Sequence, residues 1–230
     1  MNQKEILKRI YPSVVTFAGD WQKMIKDVSR LKLKEISLFL TCAGIRERQQ
    51  IYKALESSTV KQIPHVHLRH DMKEEEINYL ASRYKARVFT VHFQHFEHFK
   101  KSKYRNQIFI ESNDGQARIK NLSRLKQAGG ICIDLSHMEQ FRRLTPDYYR
   151  INDAITKKIK VGCNHLSAVK PNGQSRHYAK NTAELNYVAT LPQYFFSDYI
   201  NIELANSIAR QLKFKKYLAK LLAKQWNKKP

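Results

Sequence analysis

Residues 131–137 have the sequence ICIDLSH, in which three apolar residues run directly into Asp134 and His137 follows three positions later. A short apolar run of this kind is typical of a strand that is buried on both faces of a parallel sheet. A carboxylate at the point where such a strand ends lies at the edge of the sheet and not in its core. Asp134 could equally well cap the turn that follows, with no chemical role. The pattern becomes informative because it recurs along the chain.

Eight short apolar runs are predicted to be strands, and most of them alternate with helical segments. The predicted strands cover residues 13–18, 35–40, 64–69, 88–92, 107–110, 131–133, 161–164 and 199–202. The predicted helices cover residues 21–33, 46–57, 74–86, 116–127, 141–158 (broken near Pro146) and 207–226. Such alternation favours parallel strands that are joined by crossover helices.

The number of strand–helix units indicates the fold. Eight units in 230 residues are close to the usual size of a (β/α)8 barrel. The alternative is an open doubly wound sheet, which often carries a glycine-rich phosphate loop after its first strand. The loop at residues 18–21 has no such motif. We therefore predict an α/β protein with a single TIM-barrel domain over residues 1–230.

Composition excludes several classes of protein. Hydrophobic residues make up 42% of the chain, which is typical of a globular protein. No apolar run approaches the roughly 20 residues of a membrane span, and the first residues have no signal-peptide pattern, so we expect no membrane association and a cytoplasmic location. The three cysteines form no paired motif, which argues against a disulfide framework and a cysteine zinc site.

The chain is strongly basic. Its net charge is +22, from 42 Lys and Arg against 20 Asp and Glu. Basic surfaces gain binding free energy from counterion release when they meet nucleic acid. Much of this charge lies in the last predicted helix and the residues after it, so it indicates a polyanionic partner without locating the contact.

The ends of the later predicted strands share one chemical character. In a barrel they would lie on the same rim, where the active sites of TIM barrels are found. Each carries a histidine or a carboxylate, the ligand types of zinc, manganese and related divalent ions. These strand-end residues are His70 (followed by Asp71), His92, Glu111, Asp134, His165 and Glu203. His67 competes with His70 as the ligand of the third strand, and we expect His70 because it lies further along the strand end.

Four of these residues carry a resemblance to a known superfamily. Glu111, Asp134, His165 and Glu203 match the metal-binding quartet of the xylose-isomerase-like TIM barrels, and the Asp134-x-x-His137 pair is also shared. This superfamily holds sugar isomerases and epimerases together with the type IV apurinic endonucleases. The resemblance covers most of the chain and implies a metal-dependent enzyme.

Several local motifs resemble the endonuclease branch in particular. His70-Asp71 is similar to its His-Asp pair, residues 111–116 (ESNDGQ) to its ENTAGQ, and His165-Leu166 with the later Arg176-His177 to its His-Leu and Asp-Arg-His. The resemblance implies one metal held by His70, His92 and Glu111, and a second held by the quartet. A third would use His137 and His177, but Ser175 stands where that family has an aspartate ligand.

Two reactions are compatible with this set of residues. The first is hydrolysis of a phosphodiester in damaged DNA, in which Glu111 would bridge two metals and His137 and His177 would hold or protonate a phosphate oxygen. Four basic residues near the rim are then candidates for binding the phosphate backbone: Arg46, Arg69, Lys170 and Arg176. The additional histidines and the positive charge favour this reaction.

The second reaction is isomerisation or epimerisation of a small sugar or sugar phosphate. One metal would polarise the substrate oxygens, Glu111 and Glu203 would move a proton between adjacent carbons, and His137 would orient the substrate. A third possibility is a barrel with a relic metal site that only binds nucleic acid. It ranks last, because a complete set of ligands is costly to leave as unpaired charge.

Overall fold

The computed structural model describes residues 1–18, 20–111 and 122–227. Nine parallel strands in these residues form one sheet, in the order β1-β11-β8-β7-β6-β5-β4-β3-β2. The strands of this sheet are β1 (Ile10–Tyr11), β2 (Ser13–Val15), β3 (Ser37–Phe39), β4 (His65–His67), β5 (Val88–His92), β6 (Ile108–Glu111), β7 (Gly130–Asp134), β8 (Val161–Leu166) and β11 (Ile200–Ile202). Each of the eight predicted strands is present.

The sheet closes on itself because its first and last strands belong to one chain segment. β1 and β2 are separated only by Pro12, which has no N–H to donate to a neighbouring strand. β1 pairs with β11 on one side, and β2 pairs with β3 on the other. β1 and β2 therefore act together as one interrupted strand. With the other seven strands they complete an eight-stranded barrel that is nearly closed. The prediction of a (β/α)8 fold is confirmed.

Helices cover the outside of the barrel. They are α1 (Gln3–Arg9), α2 (Trp21–Arg30), α3 (Ile45–Glu56), α4 (Glu74–Tyr84), α5 (Phe96–Phe99), α6 (Leu122–Leu125), α7 (Leu135–Leu144), α8 (Pro146–Thr156) and α9 (Ile208–Trp226). The break expected near Pro146 is present, since this proline is the first residue of α8. The first half of the helix expected at residues 116–127 lies outside the described residues, and α6 lies in the second half. None of the helices in the described ranges is long and apolar enough to cross a bilayer.

The segment after β8 departs from a simple strand–helix unit. It forms a short antiparallel hairpin of β9 (Ala168–Val169) and β10 (Ser175–Arg176), followed by a 3-10 helix at Thr182–Thr190. The segment between β8 and β11 thus contains short ordered elements, and it lies at the carboxyl ends of the strands.

The buried amide of Gln211 fixes α9 to the barrel. Its Oε1 accepts a hydrogen bond from the Ser13 N–H at 2.7 Å, and its Nε2 donates to the carbonyls of Ser13, Leu204 and Asn206 at 3.0 Å each. A buried amide with all these partners is satisfied and specifies one position for the helix. Gln211 therefore links α9 to β2 and to the loop that follows β11.

Candidate metal centre

Four side chains converge at the carboxyl ends of neighbouring strands. Glu111 and Asp134 end β6 and β7, His165 lies in β8, and Glu203 directly follows β11. Asp134 is paired with His165 in the sheet register. One ligand atom from each of the four residues lies within 4.8 Å of the others, and all four residues are buried. The predicted convergence of this quartet is confirmed.

Glu111 occupies the middle of a wider cluster, because its two oxygens face different partners. Oε2 lies 2.8 Å from Nε2 of His67 and 3.3 Å from Nε2 of His92. Oε1 lies 2.9 Å from Nδ1 of His165, which is also 3.5 Å from Oε2 of Glu203. Glu111 thus stands between a pair of histidines on one side and the rest of the quartet on the other.

The histidine from β4 that lies in this cluster is His67, whereas the sequence analysis expected His70. β4 ends at His67, and a turn closed by the Met72 N–H on the Arg69 carbonyl carries the chain away from the barrel. His70 is exposed in that turn, with its ring 4.9 Å from the ring of His95. His67 is 1% exposed and, with Glu111 and His165, forms a second group of mutually close ligand atoms.

The two ring nitrogens of His67 face two different oxygens. Its Nδ1 lies 3.0 Å from the Leu68 carbonyl, its Nε2 lies 2.8 Å from Oε2 of Glu111, and a carbonyl or an ionised carboxylate can only accept. Burial, with His92 and His165 nearby, outweighs Glu111 and lowers the pKa of His67 to about 4. A neutral imidazole carries one proton, so at neutral pH His67 can donate to only one of these two oxygens. When the proton is on Nδ1, Nε2 and Oε2 of Glu111 are two acceptors 2.8 Å apart, and a bound cation would satisfy both.

Asp134 both caps a helix and contributes to the cluster. Its Oδ1 accepts from the Ser136 N–H at 2.8 Å, the Ser136 hydroxyl at 2.6 Å and the His137 N–H at 3.0 Å, which starts α7 directly after β7. Its Oδ2 is buried and has no hydrogen-bond partner in the described residues. The two interpretations of the ICIDLSH motif are therefore both satisfied, one by each oxygen.

A second orphaned oxygen lies close by. Oε2 of Glu203 is also buried without a hydrogen bond from any described residue. Buried carboxylate oxygens without donors cost free energy, and a divalent cation would compensate both. A donor set of carboxylates and imidazoles is one that binds divalent metal ions.

The pKa values of Glu111 and Glu203 are shifted in opposite directions. Burial would raise the pKa of Glu111, but His165, His67 and His92 hold that pKa well below its usual range. Burial and the charges of Glu111 and Asp134 raise the pKa of Glu203 well above its usual range. Glu203 therefore holds a proton more readily than Glu111 does.

Three of the predicted phosphate-binding residues already have protein partners. Arg69 donates to Asp71 at 2.9 Å, Lys170 lies 3.3 Å from Oε1 of Gln174, and Arg176 contacts Glu184 at 2.5 Å.

The other candidate residues lie around the centre. Arg46 is exposed in the first turn of α3. His137 places Nε2 at 3.9 Å from Oδ2 of Asp134, and the exposed His177 places Nδ1 at 4.0 Å from Oε1 of Glu203. His137 and His177 border the quartet, but they do not form a third ligand group within the described residues.

The ESNDGQ motif continues beyond Glu111 into residues 112–116, which lie outside the described residues. The role of His67 could have been found from the His65-Val66-His67 alternation, which turns both histidines toward the barrel interior.

Comparison with known proteins gives no relative. No protein-family model matches the sequence, and no curated protein matches it.

Proposed function

We propose that this protein is a metal-dependent phosphodiesterase that acts on damaged DNA, as the resemblance to type IV apurinic endonucleases implies. The observation that carries the proposal is the position of Glu111. One of its oxygens faces two histidines and the other faces the quartet, which is the arrangement expected of a carboxylate that bridges two ions. Enzymes that hydrolyse phosphodiesters commonly use such paired sites.

Each side of Glu111 has its own ligand set. His67, His92 and Glu111 would hold one ion, and Glu111, Asp134, His165 and Glu203 would hold another. When bound, divalent ions lower the pKa of a water molecule and stabilise the oxygen that leaves. The protein's task is then to keep the ligands deprotonated and in place, which burial and the lowered pKa values of Glu111 and His67 favour.

The residues at the border of the centre suit an anionic substrate. His137 and His177 lie beside Asp134 and Glu203, where each could donate to or protonate a phosphate oxygen. Arg46 is exposed on α3, and the net charge of +22 favours association with a polyanion. Arg69, Lys170 and Arg176 would contact phosphate only by sharing or exchanging their present partners.

The second candidate function is isomerisation of a small sugar or sugar phosphate. It is supported by the placement of two carboxylates, Glu111 and Glu203, in one buried group. In this reaction one would remove a proton from the substrate carbon and the other would help return it to the adjacent carbon. This reaction requires only one metal ion, held by the quartet, and His92 would take no part in it.

Metal stoichiometry and cleavage together test the proposal. We expect the metal-free protein to bind two equivalents of zinc or manganese, and His92→Ala to bind one. The loaded protein should nick a duplex that carries an abasic site, and Glu111→Gln should abolish the nicking. His98→Ala is the matched control, because His98 is exposed and bonds the Met72 carbonyl away from the centre.

Other outcomes would refute the proposal. The hydrolase is contradicted if the wild type and His92→Ala each bind one equivalent of metal and no metal supports nicking of the abasic duplex. Turnover of a sugar that fails in both Glu111→Gln and Glu203→Gln would then establish the isomerase.

A further inference from the structure

A basic cleft lies beside the metal centre, on the carboxyl-terminal rim of the barrel. It has a volume of about 500 Å³ and is formed by the residues that follow β10 and by the start of α9. The side chains that matter here are Lys180 and Thr182 on one wall and Ser207, Arg210 and Lys213 on the other. The cleft shares no residue with the ligand cluster or with the phosphate-binding residues predicted from the sequence.

The chemistry of the cleft is that of an anion site. The described residues lining it include three cations and two hydroxyl groups, and none of them is a carboxylate. The nearby acid, Glu184, is engaged by Arg176 at 2.5 Å and by the Lys180 N–H at 2.8 Å. Lys180 and Lys213 are exposed, so both ammonium groups are available to a ligand.

The guanidinium of Arg210 is held across the cleft rather than free in solvent. It donates a hydrogen bond to the Lys180 carbonyl and lies 5.6 Å from the ring centre of Phe214, which is buried. A guanidinium that is fixed by a carbonyl and an aromatic ring loses less conformational entropy when it binds an oxyanion. The two walls of the cleft are therefore connected before any ligand arrives.

The cleft is joined rigidly to the metal centre. The Ala205 N–H donates to the His177 carbonyl at 2.7 Å, and the buried Asn206 side chain makes two hydrogen bonds to the Ala179 backbone, at 2.8 and 3.0 Å. These contacts hold the chain that leads from His177 to Lys180 against the chain that leads from Glu203 to α9. Ser207 is four residues from Glu203, so their Cα atoms are at most about 14 Å apart.

We propose that this cleft is a phosphate-binding subsite of the metal centre. Resting on the proposed function, the inference assigns its occupant as a backbone phosphate of the DNA strand whose cleaved ester lies at the metals. Each strand of duplex DNA rises about 3.4 Å per phosphate along the axis, so the phosphate in the cleft belongs a few nucleotides from the cleaved bond. The subsite fixes the register of the strand and contributes no base specificity.

The test is the salt dependence of DNA binding by the full chain in the presence of chelator, which prevents cleavage. The variant Lys180→Gln with Lys213→Gln removes two cations of the cleft. If one phosphate contact is lost, the slope of log K against log salt should become less steep by about 0.9. This change corresponds to about eightfold weaker binding at 0.1 M salt. The matched control is Lys216→Gln with Lys220→Gln, which removes two exposed cations of α9 outside the cleft.

The outcomes separate this inference from the proposed function. If the cleft variant and the control have the same slope while abasic duplex is still nicked, the subsite is refuted and the nuclease stands. If the wild type binds no DNA, the nuclease is refuted, and inorganic phosphate followed by ³¹P NMR becomes the probe. Phosphate binding that only the cleft variant loses would then assign the subsite to a small phosphate ester, and equal binding in all proteins would refute it.

Discussion

Nε2 of His165 lies 3.4 Å from Nε2 of His65, on the side of the ring opposite the carboxylates. His165 faces Glu111 and Glu203 through Nδ1. To bind a metal through Nδ1 it must carry its proton on Nε2, and Nε2 of His65, which also lies 2.6 Å from Oγ1 of Thr90, is within reach as an acceptor. Metal-binding histidines generally rely on such a partner for tautomer and orientation. We therefore predict that His65 is a positioning residue for His165.

We therefore expect His65→Phe to weaken metal binding by about 10- to 100-fold. Phenylalanine keeps a ring beside Phe39, which lies 5.4 Å from the His65 ring, but it removes the acceptor. Metal affinity measured by competition with a chromophoric chelator checks this result. His65→Gln, which restores an acceptor oxygen, should recover part of the affinity. Unchanged affinity in a folded Phe variant would exclude the role.

The two oxygens of Asp134 can be tested separately. Asp134→Asn keeps the oxygen that caps α7 but replaces the orphaned Oδ2, whereas Asp134→Ala removes both. Both variants should lose most of the bound metal. Without metal, the Asn variant should be at least as stable as the wild type, because a buried charge is gone, and the Ala variant should be about 1 kcal/mol less stable than the Asn variant. Elemental analysis and urea unfolding measure these two effects, and full metal content in the Asn variant would contradict the assignment.

Local sequence patterns were sufficient to predict the strands and the residues at their ends, and the family resemblance selected the quartet from these residues. Buried parallel strands are short apolar runs, and a residue at the end of each run must lie on the common rim once the barrel is known. The quartet could be predicted because Glu111, Asp134, His165 and Glu203 directly end or follow such runs. The start of α7 was missed, since the cap supplied by Asp134 begins the helix at Leu135, six residues earlier than the hydrophobic spacing indicated.

Features that depend on distant contacts could not be predicted in this way. The choice between His67 and His70 depends on where β4 bends, and that is set by the turn from Arg69 to Met72. The order of the segment after β8 depends on contacts such as those of Asn206 with Ala179, 27 residues away. Such pairings leave no periodic signal in the sequence.

Gly162 is required by the packing at the amino-terminal end of the barrel. A Cβ at this position would lie 1.9 Å from Cε1 of Phe109, whose ring is buried. We expect Gly162→Ala to lower the free energy of unfolding by about 1–3 kcal/mol. Because the clash is with one side chain, Phe109→Leu in the same protein should recover part of the loss. Denaturant unfolding of the two single variants and the double variant measures the coupling, and simple additivity would contradict the clash.

The lowered pKa of His67 predicts how the stability of the metal-free protein depends on pH. Burial, with His92 and His165 nearby, brings the folded-state pKa to about 4, against about 6.5 in an unfolded chain. Between these values the unfolded state binds more protons, so stability is fully present above about pH 6.5 and decreases as the pH falls toward 4. The total contribution is about 3 kcal/mol. Urea unfolding in chelator at intervals from pH 7 to 4 should show this decrease in the wild type.

The variant His67→Gln removes the titration of this histidine. Glutamine does not titrate in this range, so the stability of the variant should depend less on pH between 6.5 and 4 than that of the wild type. His65 acts in the same direction, because burial and the neighbouring His165 and His67 also lower its pKa, and it remains in the variant. The difference between the two curves therefore contains the titration of His67 together with the change that its removal makes in the pKa values of His65 and Glu111. Parallel curves would mean that His67 is protonated beside Glu111 in the metal-free fold, and that a proton occupies the position assigned to a metal ion.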